Sequence, residues 1–139
     1  YSINKGLWGT SIGGKETLNS KGMLPEEAWP TQVTKTGSEE VKLHFEKGEL
    51  KGINDQQFSH PVEAINYLQS LAGPYGIARD IHVGDTIIGI KGRVGFEAAA
   101  PKLIMRWRKT FLRNGSCNGK IRWRNFMATG CTKGRSLIR

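Results

Sequence analysis

The sequence predicts an α+β fold, and three stretches carry that reading. Residues 40–45 alternate, placing Val41, Leu43 and Phe45 on one face of a strand. Glu46-Lys47-Gly48 then reads as a turn and 49–54 as a short returning strand, which makes a hairpin. Beyond His60-Pro61, the residues Val62, Ile65, Leu68 and Leu71 recur at helical spacing. Finally Thr86-Ile87-Ile88-Gly89-Ile90 is an apolar, β-branched run suited to a buried strand.

Taken in order, residues 1–37 are rich in Gly, Ser, Thr and Pro without a sustained period, and predict a loop over a surface, anchored by Leu7, Trp8 and Trp29. The hairpin follows. The helix after it begins at His60, with Pro61 where a missing N–H costs nothing and Glu63 in the first turn, where exposed N–H groups favour negative charge. Its stripe of Val62, Ile65 and Leu68 predicts core, and Gly73-Pro74 ends it. Residues 75–80 read as a connector, 82–92 as the segment holding the buried strand, and 97–104 as the start of a second helix despite Pro101. After Ile104 no amphipathic period is visible, and the expectation is a tail without a buried face.

A chain of 139 residues is long enough to bury a core, and its opening Tyr1 suits a piece of something larger. Charge is divided unevenly. Residues 1–104 hold eleven Lys/Arg and twelve Asp/Glu, whereas 105–139 hold ten Lys/Arg and no acid, so the net charge of +9 resides in the last quarter. Basic residues interleaved with Trp107, Trp123 and Phe126 could stack bases and hold phosphates, which gives one functional reading: a small basic nucleic-acid-binding protein using 105–139. No recognised DNA or RNA module surrounds these residues, so no specific nucleic-acid partner is expected. No apolar run approaches a membrane span, and no signal pattern opens the chain. Cys117 and Cys131, fourteen apart with no CxxC partner, argue against zinc, and the acid-rich, cysteine-free body suits the cytoplasm.

Short motifs say little by themselves. Gly9 to Glu16 nearly spells a phosphate-binding GxxxxGK[S/T] loop, but Glu16 stands where a hydroxyl must reach magnesium, and a carboxylate there repels phosphate. A plain Gly-rich loop is the better reading. His44, His60 and His82 lack ligand-like spacing, and no metal site is expected.

Two longer blocks go further. Residues 1–11, YSINKGLWGTS, resemble the YSxxxxLWxxS segment of argininosuccinate synthase. Residues 81–101, IHVGDTIIGIKGRVGFEAAAP, resemble that family's GIKxRxxYExPA block in the spelling of a bacterial branch. The resemblance runs from residue 1 to about 104. It implies an ATP-dependent ligase joining citrulline to aspartate, assembled as a homotetramer, with ATP and Mg2+ bound mainly by an N-terminal domain that has no counterpart here. Residues 1–104 would be part of the catalytic and multimerisation domain, inactive alone. The resemblance places citrulline contacts at Ser2 and Ser11. It also puts Gly84 where better-known members carry a glutamate and Phe96 where they carry a tyrosine, with Asp85 a candidate for the missing carboxylate. Glu97 would be structural.

The tail admits a different explanation at the codon level. If residues from about Met105 onward are read one base out of step, Asn114-Gly115 permits Trp, Cys117-Asn118 permits only Gln or a stop, and Met127-Ala128 forces Gly. Continued, residues 112–139 can spell EKWVLQWQDTLAEFYGNWLHEGQIPDP, which resembles the family's continuation. On this reading residues 105–139 are an out-of-frame basic tail, disordered or poorly packed.

Overall fold

A computed structural model of the chain describes residues 1–85, 89, 91–114 and 120–124. Among these residues, eight strands form two four-stranded antiparallel sheets, accompanied by two α-helices. The first sheet has the order β1 (Ser2–Gly6), β2 (Gly9–Gly13), β7 (Lys91–Glu97), β6 (Arg79–Asp85). The second has the order β5 (Gln56–Gln57), β4 (Glu49–Ile53), β3 (Ser38–Glu46), β8 (Lys120–Arg124). Helices α1 (Pro61–Ala72) and α2 (Ala99–Asn114) contribute with β3 and β4 to the main core, in which Val41, Ile53, Ala64, Leu68, Ala72, Ala99 and Ala100 are fully enclosed. The α+β expectation therefore holds.

The β3–β4 hairpin forms as its sequence demands. Lys47 and Gly48 both have positive φ, 50° and 87°, between the paired residues Glu46 and Glu49. A two-residue loop of that kind matches the right-handed twist of the strands it joins. Val41 and Leu43 are buried and Phe45 is partly so, as the alternation requires. Helix α1 starts as expected, with Nδ1 of His60 accepting from the N–H of Val62 at 3.2 Å and Pro61 opening the helix. Ile65 and Leu68 of the predicted stripe are buried, whereas Val62 is exposed and Ala64 and Ala72 complete the enclosed face. The two alanines are too small to register in a stripe drawn through large side chains.

Residues 1–37 depart most from expectation. Instead of loop throughout, they open with the hairpin β1–β2, whose strands each carry a single isoleucine, Ile3 and Ile12, too little for a visible period. Leu7 packs against the main core and Trp29 against a second cluster of Ile12, Leu24 and Ala28. Trp8, expected as an anchor, is 58% exposed. Gly9 to Glu16 runs through strand β2 into a 3₁₀ turn, so the Gly-rich segment is neither a phosphate cradle nor a plain loop.

Of the predicted strand at 86–90, only Gly89, in a bend with φ +78°, is described; the rest lies outside the described residues. The flanking segments are strands β6 and β7. Helix α2 begins at Ala99, two residues later than expected, because Glu97 ends β7. Pro101 fits its first turn, where N–H groups have no partner within the helix, and the N–H of Ala100 donates to Gln69 Oε1 at 3.0 Å. The helix also crosses residue 104 and continues to Asn114. The expectation of no buried face in the tail fails at Trp107, which follows the buried Leu103 by one helical turn and stacks on Phe45 with ring centroids 4.0 Å apart. Strand β8 pairs with the first half of β3, Ser38 opposite Arg124. Residues 115–119 and 125–139, with Cys117, Cys131 and Phe126, lie outside the described residues.

Candidate functional site

The strand register decides which of the candidate residues share a face. Ser2 pairs with Gly13 and Asn4 with Ser11; Ser11 pairs in turn with Phe96, and Phe96 with Asp80. Paired residues of an antiparallel sheet project to the same side, and residues two apart along a strand do as well. Ser2, Asn4, Ser11, Phe96, Asp80, His82 and Gly84 therefore belong to one face. Asp85 pairs with Lys91 and holds the alternate position of the pleat from Gly84. The structure thus brings Ser2, Ser11 and Phe96 together, and sets Asp85 at the end of β6 in the other parity.

This face carries hydroxyls and an aromatic ring in a partly open setting. Ser2 is exposed, Ser11 and Phe96 are half-buried, and Asp80 and His82 are exposed. The Phe96 ring lies against Gly9, where an added Cβ would fall 2.4 Å from Cζ, and His82 meets it edge-on at 5.1 Å. Gly9, at φ +146°, gives the ring its room. Hydroxyls can donate to a carboxylate and accept from an ammonium, so the face is chemically suited to a polar, zwitterionic ligand.

The opposite side of the sheet fixes the strands in place. Gly95 leaves space filled by Leu24, whose Cδ1 would lie 2.1 Å from an added Cβ. Arg79 and Glu97 are paired residues of β6 and β7 on this side, with side chains 9% and 3% exposed. Arg79 Nε is 3.4 Å from Glu97 Oε2, a contact of charges not aligned as a hydrogen bond. The guanidinium also donates from Nη1 to both oxygens of Glu26, at 2.8 and 3.0 Å, and from Nη2 to the Thr31 carbonyl, and it lies over the Trp29 ring. Thr31 Oγ1 donates to Glu97 Oε1 at 2.5 Å. Two charges that are costly to bury alone are thereby joined, and segment 26–31 is tied to the strand that presents Phe96. Glu97, expected to be structural, is a member of this network.

Asn4, Asp80 and His82 escaped the sequence reading as members of the face. Their parity with Ser11 and Phe96 depends on which strands pair and in what register, and short Gly-rich strands encode that weakly.

Residues 1–111 match the family described as arginosuccinate synthase C-terminal domain. The chain belongs to the argininosuccinate synthase family. It is 36% identical over 112 residues to the argininosuccinate synthase of Methanocaldococcus jannaschii, covering 78% of this chain and 28% of that protein. Similar figures hold for the argininosuccinate synthases of Oenococcus oeni, 34% over 113 residues, and Sulfurisphaera tokodaii, 31% over 110, with the same two coverages. The chain thus spans just over a quarter of the length of these relatives. The family match extends seven residues past Ile104 and ends within α2. No described helix is long and apolar enough to cross a membrane.

Proposed function

We propose that this chain is the part of a cytoplasmic argininosuccinate synthase that presents citrulline to the reacting groups. In that reaction ATP adenylylates the ureido oxygen of citrulline with release of pyrophosphate, and the aspartate amine then displaces AMP to give argininosuccinate. The observation carrying the reading is the cross-strand placement of Ser2, Ser11 and Phe96 on one accessible face. Ser2 and Ser11 donate to the amino-acid carboxylate, and the Phe96 ring supplies an apolar wall where a hydroxyl is absent. ATP and Mg2+ belong to the remainder of the enzyme in this reading. The working assembly is a homotetramer.

The isolated chain is expected to form no AMP from ATP, citrulline and aspartate, and detectable AMP would overturn its inactivity. Citrulline titrated into isotope-labelled chain should shift the amide signals of Ser2, Ser11 and Phe96. Unmoved signals would remove the citrulline face. We also propose that the tail is read out of frame, with the change of frame moved from about 105 to the end of the family match near residue 111. Resequencing codons 105–115 tests this, and a reading frame identical to that of intact relatives would refute it.

A further inference from the structure

We infer that Asp80 is the carboxylate that receives the ammonium group of the amino-acid substrate on this face. This rests on the citrulline reading and adds to it the anionic partner that a zwitterion requires. Four strands contribute one continuous cross-strand row: Asn4, Ser11, Phe96, Asp80. Among the described residues with side chains, no other acid belongs to this face of the four strands. Glu97 is of the opposite parity and committed to Arg79 and Thr31. Asp80 itself is exposed and joins no ion pair among the described residues. Its Oδ1 accepts from the Ile81 N–H at 2.8 Å, which orients the group and leaves Oδ2 open.

The spacing suits one ligand. Ser11 and Asp80 flank Phe96 across two strand intervals, about 10 Å at ordinary sheet spacing. An α-amino-acid head with a charge-assisted hydrogen bond of about 2.8 Å on each side spans most of that distance. The carboxylate end then meets the serine side of the row, the ammonium meets Asp80, and the remainder of the molecule lies along the Phe96 ring. Gly84 shares the face but has no side chain, so that position supplies no charge, and Asp85 has the other parity.

The test is a set of binding titrations on the full chain, read from amide shifts, with L-citrulline and with Nα-acetyl-L-citrulline, which lacks the ammonium. Asp80→Asn should weaken citrulline about tenfold or more, the scale of a lost hydrogen bond to a charged group. Asp80→Glu should recover most of the affinity. Acetylation should cost the parent chain the same factor and cost Asp80→Asn little. Asp55→Asn, an exposed acid in the turn after β4, should bind like the parent. If Asp80→Asn binds citrulline as the parent does, the assignment of Asp80 fails while the citrulline face stands. The assignment also fails if Asp55→Asn loses as much, or if acetylation weakens both chains equally. If the parent binds no citrulline, the face itself is misread and Asp80 falls with it.

Discussion

The β5–β4–β3–β8 sheet and the β1–β2–β7–β6 sheet have similar strand numbers but different materials. The first is covered by helices and filled with Val41, Leu43, Leu50, Ile53, Ile65 and Leu68. The second has glycines at positions 6, 9, 13, 84, 92 and 95 and a small cluster centred on Ile12, Leu24 and Ala28. It is held on one side by the Arg79–Glu97–Glu26–Thr31 network and keeps its other side accessible. Apolar burial scales with area, so the helix-covered sheet supplies most of the stability. The glycine-rich sheet uses directional contacts, which fix strand positions without covering the face that meets a ligand.

The largest test of this contrast is Glu97→Ala, which removes the buried carboxylate facing Arg79, leaves it the more exposed Glu26 and takes the acceptor from Thr31. A loss of about 3–5 kcal/mol is expected in urea unfolding, with amide shifts concentrated in β1, β2, β6 and β7. Leu68→Ala probes the other sheet and should cost about 2–5 kcal/mol, with no local bias toward the β1–β2–β7–β6 face. Equal shift patterns from the two variants would erase the distinction between the sheets.

Smaller changes sharpen it. Gly9→Ala places a methyl against the Phe96 ring at a positive φ and should cost about 1–3 kcal/mol while displacing the ring, seen as altered Phe96 and His82 side-chain signals. The smallest effect is expected at Tyr75, whose phenol donates to Glu39 Oε2 at 2.6 Å. That hydrogen bond, with burial and the Glu39 charge adding to it, raises the Tyr75 pKa above its ordinary value of 10.0. The folded state therefore keeps the proton longer than the unfolded state. The associated stability is complete below about pH 10 and is lost as pH rises from there through the raised value. Unfolding midpoints at pH 8 and pH 11 should show this loss in the parent and a smaller one in Tyr75→Phe. At pH 8 the substitution itself should cost about 1 kcal/mol.

Legibility followed the same division. The β3–β4 hairpin and α1 could be read because large apolar residues repeat at the period of their element and Lys47-Gly48 satisfies the turn. The β1–β2 hairpin could not, since one isoleucine per strand leaves no period to detect. Trp107 was hidden for another reason. Its burial follows from an i, i+4 relation to Leu103 across the point where the sequence pattern changes, and from the Phe45 ring that receives it.

The chain's own letters determined the family, through two long blocks, and the α+β alternation, through local periods that neighbouring residues enforce on one another. Only the tertiary structure decided that Ser2, Ser11, Phe96 and Asp80 share a face and that Arg79 and Glu97 share the other. Membership of a face depends on the register between strands distant in sequence, and a shift of one residue would exchange the two sets. That register is fixed by packing at Gly95 and by the buried charges, neither of which is a property of any segment alone.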